Sequence, residues 1–524
     1  MNPLVGSLLR PEAYDHPVET VLLQETHISW IFLTGIYAYK LKKPVDYGFV
    51  NFNTPERRQH FCHEEVRLNR RLASNIYIDV VAVHGPPERA SCWGDGPVID
   101  HLVRMHQFPQ QAMLESVLNR GELRDEQIDQ LADDLACFQA TAAKAPAAGP
   151  YGSANAVRDP VMANFASLES APALLASSGG DDSREAAALE RLRRWAEKEW
   201  QRLRPHFQRR LAAGRVREGH GDLHLGNMVV LADRITVFDC LEFSDTLRWI
   251  DVISDLAFLV MDLQEHGQPR LAMRLLNRWL EQSGDWDAMD LWRWYGCYRA
   301  LVRAKVAALG GGAALHAYLM CAEQLINPRP CSLAITTGVS GLGKSRHSLA
   351  VAERLGWMRL RSDVERKRMF GLWGIPRHAE RSGNPYTSAV SEELFAKRLP
   401  EIAEQLLRAG HAVVVDATFL RQQDRQRMAD LAQQLGVPFL ILQPLAPIEV
   451  ARARIRNRLR HGRDASDADE AVLLEQLNLF EPLNAQENSF CIQVQANSDP
   501  DQLASAVASW LRTATGGKAM NNLD

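Results

Sequence analysis

The segment that most restricts the fold is Gly338-Val339-Ser340-Gly341-Leu342-Gly343-Lys344-Ser345. It has the spacing G-x-x-x-x-G-K-[ST], in which glycines allow backbone N–H groups to close around phosphate oxygens. A short apolar run at 333–335 leads into the segment, and a helix-compatible stretch at 346–355 follows it. This strand–loop–helix context predicts an α/β domain with a parallel sheet.

The residue types in this loop predict how it binds a nucleotide. Lys344 would reach the β- and γ-phosphates, and Ser345 would ligate Mg²⁺. The helix that follows would add a favourable dipole at its N-terminus. We therefore expect ATP and Mg²⁺ as cofactors, with the phosphate cradle formed by Gly338, Ser340, Gly341 and Gly343.

A second motif lies upstream, at His220-Gly221-Asp222-Leu223-His224-Leu225-Gly226-Asn227. Its H-x-D-x-x-x-x-N spacing is that of the catalytic loop in protein-kinase-like phosphotransferases. Asp222 would orient or deprotonate a substrate hydroxyl, and His220 would brace the loop. Asn227 and Asp239, which ends a predicted strand, would hold Mg²⁺. For His224 we expect a structural role in the loop.

The lysine that would bind the α- and β-phosphates lies on a predicted strand. Residues 36–42 alternate between apolar and polar, so Lys40 and Lys42 share one face, and either could serve; Lys40 is our choice. Glu65, in a helix predicted over 55–72, could pair with this lysine. The alternative for Glu65 is a solvated helix charge.

On these residues, positions 1–325 resemble the aminoglycoside phosphotransferase superfamily and its choline- and fructosamine-kinase relatives. The resemblance implies a two-lobed protein-kinase-like fold and transfer of a phosphoryl group. This chain departs from the family at Asp239, which Cys240-Leu241-Glu242-Phe243 follow. Family members more often have Phe or Trp and then Glu directly after this Asp. The resemblance does not supply the acceptor.

Two carboxylates downstream of Ser345 fit a second reaction centre. Asp363, in Ser362-Asp363-Val364-Glu365-Arg366, could accept the proton of a substrate hydroxyl. Arg366, one helical turn later, could hold an anionic group of that substrate. Asp416 ends the apolar run Val413-Val414-Val415 and would accept from Mg²⁺-bound water or from Ser345. The alternatives are a helix N-cap for Asp363 and a strand-end cap for Asp416.

Arginines crowd the segment from 452 to 463. Arg454 and Arg458 are four residues apart and would share a helix face, where they could close over the phosphates as a lid. Arg463 would also contact the nucleotide. Arginines in this position neutralise charge in the transition state. The alternatives are a solvated basic face or a patch for an anionic polymer.

Residues 331–515 resemble the small P-loop kinases, which include polynucleotide 5′-kinase, zeta-toxin and gluconate-kinase-like domains. The glycine-rich loop, Ser-Asp-x-x-Arg, Asp-Ala-Thr and the arginine segment carry this resemblance. The order of all the motifs resembles bacterial two-domain proteins described as aminoglycoside phosphotransferase/ATP-binding fusions.

The predicted boundary between the two domains is Asn327-Pro328-Arg329-Pro330, because the prolines stop a helix. We expect an α+β protein-kinase-like domain at 1–326 and an α/β P-loop NTPase domain at 331–515. Strands of the second domain are predicted at 333–337, 412–416 and 438–443. Residues 516–524 are predicted to be a disordered tail.

Bulk properties narrow the class of protein. The net charge is −4. The eight cysteines are scattered along the sequence, as is typical of thiols in a reducing compartment. No stretch of about 18 apolar residues occurs, so we expect no membrane partner and a cytoplasmic location. Nucleic acid is a possible partner, but this charge does not favour it.

We therefore expect a bifunctional ATP-dependent phosphotransferase that acts on hydroxyl-bearing small molecules. One alternative is a regulatory protein in which a ligand-binding kinase-like domain is joined to an ATPase switch. Another is a C-terminal domain that phosphorylates the 5′-hydroxyl of a nucleic acid. Neither the acceptors nor the oligomeric state can be deduced from a motif.

Overall fold

The computed structural model describes residues 2–514 except 49, 147, 172–181, 311–313, 328–329, 376, 378–379, 462–464 and 496. Three sequence predictions lie outside these residues: Arg463, the tail at 516–524 and part of the boundary at 327–330. The chain forms two compact units. The first unit comprises Met1–Gln130, Thr141–Asp159 and Phe207–Leu259, and the second comprises Leu131–Ala140, Pro160–His206 and Val260–Asp524.

An antiparallel sheet of five strands in the order β1-β2-β3-β5-β4 forms much of the first unit. The strands are β1 (Leu22–Glu25), β2 (Ser29–Leu33), β3 (Tyr37–Lys42), β4 (Tyr77–His84) and β5 (Val98–His106). Helices α1 (Pro3–Leu8) and α2 (Pro55–Ala73) belong to the same unit. Ala38 of β3 packs with Val66 of α2, whereas Tyr39 packs with Val5 of α1. The predicted alternation along β3 is confirmed.

Residues 114–265 form helices and short strands. Met228–Leu231 and Arg234–Val237 pair as a hairpin, and Trp249–Asp251 pairs with Val216–Glu218. These elements are α3 (Leu114–Asn119), α4 (Asp125–Thr141), α5 (Ala154–Glu169), α6 (Asp182–Ala212), β6 (Val216–Glu218), β7 (Met228–Leu231), β8 (Arg234–Val237), α7 (Asp245–Arg248), β9 (Trp249–Asp251) and α8 (Val252–Glu265).

The second unit contains a sheet of five parallel strands in the order β11-β12-β10-β13-β14. The strands are β10 (Leu333–Thr336), β11 (Met358–Arg361), β12 (Val413–Asp416), β13 (Phe439–Leu445) and β14 (Cys491–Gln495). Its helices include α9 (Pro269–Ser283), α10 (Trp292–Leu309), α11 (Leu315–Ile326), α12 (Lys344–Leu355), α13 (Ser362–Met369), α14 (Ser388–Glu393), α15 (Leu399–Arg408), α16 (Gln422–Leu435), α17 (Ile448–His461), α18 (Glu470–Leu479), α19 (Ala485–Ser489) and α20 (Pro500–Ala514).

The position of β10 explains where ligands can bind in this sheet. All four residues of β10 are buried, as expected for a central parallel strand covered on both faces. Its neighbours, β12 and β13, follow it in sequence and lie on opposite sides. The strand order therefore reverses at β10, and a crevice is expected outside its carboxyl end. The glycine-rich loop begins there.

The parallel sheet confirms the α/β class predicted for the second domain. Strand β14 was not predicted. None of the helices in the described part of the chain is long and apolar enough to cross a bilayer.

Candidate active sites

The first candidate site is built around two lysines and a glutamate. Lys40 and Lys42 both donate to Glu65, at 2.9 Å to Oε1 and 2.6 Å to Oε2. Lys40 also donates to Asp239 at 2.6 Å, and Lys42 donates to Glu242. The two lysines share a face of β3, but only Lys40 reaches the predicted metal ligand.

Because Lys40, Lys42 and Glu65 are buried, the charge state of each depends on the charges of its neighbours. The Glu65 side chain has no exposed surface, so the alternative of a solvated helix charge is wrong. Burial alone would raise the pKa of Glu65, but Lys40 and Lys42 outweigh it and lower the pKa. Burial alone would likewise lower the pKa of Lys40, but Asp239 and Glu65 raise it. Both lysines are therefore held as cations.

The predicted catalytic loop places Asp222 and Asn227 together. The Nδ2 of Asn227 donates to the main-chain oxygen of Asp222 at 3.0 Å and to its Oδ2 at 3.2 Å. The Nε2 of His224 lies 3.4 Å from the same carboxylate. His224 also accepts from the N–H of Gly226 at 3.1 Å. It thus has a structural contact, as predicted, and also neighbours Asp222.

His220 contacts the backbone with both ring nitrogens. Its Nε2 lies 2.9 Å from the oxygen of Phe238, and its Nδ1 lies 3.2 Å from the N–H of Asp222. Because a neutral imidazole donates from one nitrogen and accepts at the other, this pattern requires Nε2–H. Burial lowers the pKa of His220, which favours that neutral form. The geometry is that of a loop brace.

Asp239 lies beyond β8 rather than at its end. The strand stops at Val237, and Asp239 has a left-handed backbone with φ of 61°. Its N–H donates to the hydroxyl of Tyr77 at 3.3 Å, and the following N–H, of Cys240, donates to Oδ1 of Asn69 at 2.8 Å. Two side chains therefore anchor this strained turn.

Asp255, in α8, supports the catalytic loop and was not identified from the sequence. It is almost fully buried, and its carboxylate accepts from the N–H groups of His220 at 2.7 Å and Gly221 at 2.9 Å. A β-carbon on Gly219 would lie 2.5 Å from Asp255 Oδ2, so the loop approaches this carboxylate too closely for a side chain. No local pattern marks Asp255, because its partners lie 34 and 35 residues away.

The donor set of this site fits Mg²⁺. Asp239 offers a carboxylate that is 41% exposed. Asn227 uses its amide nitrogen on Asp222, which leaves its amide oxygen as the atom suited to a metal. Carboxylate and amide oxygens are hard ligands of the kind Mg²⁺ prefers.

The second candidate site is the glycine-rich loop between β10 and α12. Gly338, Gly341 and Gly343 have φ of 118°, 84° and 100°, in the region that only glycine adopts without strain. A β-carbon on Gly341 would also lie 2.6 Å from the oxygen of Ala451. The loop therefore requires glycine at the predicted positions, both for its shape and for its contact with α17.

Lys344 lies under this loop. Its Nζ donates to the oxygen of Val339 at 2.8 Å. Burial lowers the pKa of Lys344 to about 8, with Asp416 and Asp363 opposing the effect. Ser345, the next residue, lies in the first turn of α12 and is half-buried. A phosphate bound at the loop would place negative charge beside this lysine and favour its protonated form.

Asp416 is the last residue of β12 and is buried. Its Oδ2 lies 3.6 Å from Nε of Arg361 and has no hydrogen-bond partner among the described residues. Buried carboxylate oxygens are nearly always bonded in native proteins. An oxygen in this condition fits the predicted role of accepting from water bound to Mg²⁺.

Asp363 lies in the first turn of α13. The N-cap of this helix is Arg361, so the alternative of an Asp363 cap is wrong. Arg366, one turn later, donates to Ser391 Oγ at 2.8 Å and lies over the Tyr386 ring, while its buried Nε has no partner among the described residues. Burial lowers the pKa of Arg366, and the charge of the nearby Asp363 offsets part of this effect.

The arginines of α17 divide into two groups. Arg454 donates to the oxygen of Gly341 at 3.4 Å, and Arg458 donates to the oxygen of Ala468 at 2.7 Å. Arg452 and Arg456, in contrast, pair with acidic residues on the surface. The structure thus brings Arg454 to the glycine-rich loop, while a solvated basic face describes the second group.

Gln476, in α18, contacts the phosphate loop and was not identified from the sequence. Its Oε1 accepts from the N–H of Ser340 at 2.7 Å. This N–H belongs to the predicted phosphate cradle, so the glutamine oxygen occupies a position where a phosphate oxygen would bind.

Two protein-family models match parts of this chain. Residues 46–292 match the model of the phosphotransferase enzyme family, and residues 333–483 match the model of the AAA domain. The chain therefore joins a phosphotransferase-family domain to a P-loop kinase-like domain, and the resemblances drawn from the sequence are confirmed.

Uncharacterized proteins of Mycobacterium tuberculosis and Mycobacterium bovis are 28% identical over 475 residues, covering 87% of this chain and 91% of each relative. Among solved structures, aminoglycoside 2′-phosphotransferase-IIIa is 14% identical and covers 59% of this chain and 93% of its own, with a TM-score of 0.37. A gluconokinase from Sinorhizobium meliloti is 20% identical and covers 36% and 97%, with a TM-score of 0.26.

Proposed function

We propose that this protein is a bifunctional phosphotransferase in which each domain transfers the γ-phosphoryl group of ATP to a hydroxyl of a small molecule. One observation carries the proposal: each domain brings together a lysine for phosphate, a carboxylate for the metal and a second carboxylate for the acceptor proton. A domain that bound nucleotide without transfer would not need the last of these.

In the first domain, Asp222 accepts the proton of the acceptor hydroxyl as its oxygen attacks the γ-phosphorus. Lys40 binds the α- and β-phosphates, and Glu65 fixes its position. Asn227 and Asp239 would hold Mg²⁺, which neutralises charge on the phosphates when it is bound. The lysine must exchange its bond to Asp239 for a bond to phosphate when the nucleotide enters.

In the second domain, the loop amides and Lys344 bind the β- and γ-phosphates, and Asp363 accepts the acceptor proton. Ser345 and Asp416 would hold Mg²⁺ and its bound water. Arg454 and Arg458 lie on the helix that covers the loop, where they stabilise charge on the transferring group. Arg366, next to Asp363, would bind an anionic group of the acceptor.

We also propose a cytoplasmic location. Cys62, Cys240 and Cys297 are buried thiols that form no disulfide. Free thiols of this kind persist in a reducing compartment.

The test is transfer of labelled γ-phosphate from ATP into a mixture of cytosolic metabolites by the intact protein. Asp222→Asn and Lys344→Ala variants run in parallel, each altering one domain. We expect labelled products that are lost in one variant and retained in the other, and mass spectrometry then identifies each acceptor. Label found only as free phosphate, lost in Lys344→Ala and kept in Asp222→Asn, would refute the proposal and favour an ATP-driven switch.

A further inference from the structure

Helix α9 packs against the edge of the parallel sheet that carries the P-loop, although it precedes residues 333–483 that match the AAA model. Asn277 of α9 accepts from the N–H of Arg359 at 2.7 Å and donates to the oxygen of Trp357 at 3.1 Å. Both partners flank or belong to β11, which is an edge strand. The Asn277 amide therefore bonds the edge of the sheet as an additional strand would.

Glu281, one turn further along α9, continues this contact into the interior. It is 3% exposed, and its Oε1 accepts from Arg359 at 2.6 and 3.0 Å. Its Oε2 lies 3.6 Å from Nη1 of Arg361. Arg361 in turn lies 3.6 Å from Asp416. A row of alternating charges thus runs from helix α9 to the predicted metal carboxylate.

The balance of charge in this row determines what Arg361 does. Burial alone would raise the pKa of Glu281, but Arg359 and Arg361 outweigh it and lower the pKa, so Glu281 is an anion. Two arginines therefore face two carboxylates. Without the charge of Glu281, the attraction of Arg361 to Asp416 would no longer be balanced from the other side, and their separation of 3.6 Å is short enough for a small shift to form a direct hydrogen bond.

We propose that Glu281 is a positioning residue of the P-loop site, which holds Arg361 away from Asp416 and keeps that carboxylate available to Mg²⁺-bound water. The inference rests on the metal-binding role proposed for Asp416. It extends the P-loop site to a helix that lies within residues 46–292 and would be absent from a separately expressed 331–515 fragment.

The chain offers a matched control at another buried contact of α9. Glu353 of α12 is also buried, and it pairs with Arg274 at 2.8 Å and Arg270 at 3.3 Å of α9. These two arginines lie on α9, whereas the arginine partners of Glu281 lie on β11. Glu353→Gln therefore removes a buried charge between α9 and α12 without altering the row that reaches the metal carboxylate.

The experiment measures binding of a non-hydrolysable ATP analogue to full-length protein as a function of Mg²⁺ concentration. All variants carry Asp239→Asn, which weakens metal-dependent binding at the first domain, and thermal unfolding is recorded for each. We expect Glu281→Gln to raise the Mg²⁺ concentration for half-maximal binding by about tenfold, as loss of a residue that orients a metal ligand does. Binding in EDTA should be unchanged, and Glu353→Gln should alter only the unfolding temperature.

A second variant separates positioning from a general loss of structure. Glu281→Gln with Arg361→Gln removes both charges, so nothing is drawn onto Asp416, and Mg²⁺ dependence should return toward that of the parent. Equal effects of Glu281→Gln and Glu353→Gln, or a double variant no better than the single one, would overturn the positioning role alone. Mg²⁺-dependent binding that survives Lys344→Ala would overturn the proposed P-loop function and this inference together.

Discussion

The pH dependence of nucleotide binding at the P-loop follows from the environment of Lys344. Burial lowers the pKa of this lysine to about 8, and the nearby Asp416 and Asp363 offset only part of that effect. A bound triphosphate adds negative charge beside the ammonium group and favours its protonated form. The free site loses its proton near pH 8 while the occupied site keeps it, so affinity falls as the pH rises through 8.

The magnitude follows from the two pKa values. With a pKa of about 8 in the free site and an ordinary lysine value of about 10.4 in the occupied site, affinity falls about tenfold between pH 7 and 9, or about 1.4 kcal/mol. Below pH 7 the lysine is protonated in both states, and its contribution to the pH dependence disappears.

Calorimetric titration of an Asp239→Asn protein with a non-hydrolysable ATP analogue measures this effect. Titrations in buffers of different ionisation enthalpy should show uptake of a proton above pH 8. Lys344→Arg is the control, because an arginine stays charged throughout this range and should give a flat profile, whatever its affinity. A flat profile in the parent protein, or an equal slope in Lys344→Arg, would refute the reasoning.

Three further predictions concern other buried contacts. Lys42→Met leaves Glu242 buried without its lysine and should lower the free energy of unfolding by about 3–5 kcal/mol in denaturant unfolding. Adding Glu242→Gln should recover part of this loss, and no recovery would contradict the pairing. Asp255→Asn weakens the acceptor for two catalytic-loop amides and should slow transfer by the first domain at least about tenfold, since bonds to charged groups contribute about 1.5–3 kcal/mol; an unchanged rate would contradict it. Gln476→Ala removes a competitor for the N–H of Ser340 and should tighten nucleotide binding about fivefold, or by about 1 kcal/mol; weaker binding in a competition assay would show that Gln476 supports the loop instead.

The features that were best predicted from the sequence are those whose residues all lie within a single loop. Asp222 and Asn227 are five residues apart, and their hydrogen bond lies within the loop that carries the motif. The glycines of the phosphate loop, such as Gly341 and Gly343, likewise have the positive φ that the motif implies. In such segments the spacing along the chain sets the distance in space.

The choice between Lys40 and Lys42 shows where this information stops. Alternation along β3 places both on one face, and both bond Glu65, so no local pattern separates them. The difference comes from Asp239 and Glu242, which lie about 200 residues away in sequence. A pairing of this kind depends on how the catalytic turn packs against the sheet.

Two supporting residues were missed for the same reason. Asp255 belongs to an apolar helix, and Gln476 lies 136 residues from the amide that it contacts. Strand β14 was missed for another reason: it pairs with one neighbour only, and four of its five residues are at least partly exposed. Its polar and apolar residues are mixed, so it lacks the continuous apolar run from which β10 was predicted.

The pKa shifts of the two phosphate-site lysines have opposite signs, so the two domains are not equivalent in their electrostatics. Lys40 is held between carboxylates that raise its pKa, whereas Lys344 bonds a main-chain oxygen and has its pKa lowered by burial. At the first site a nucleotide meets an excess of carboxylate, so a bound metal must offset that repulsion before Lys40 can leave Asp239. At the second, backbone amides and a lysine in need of an anion attract phosphate directly. A change in metal concentration or pH therefore acts differently on the two domains, and their contributions can be separated without a substitution in either.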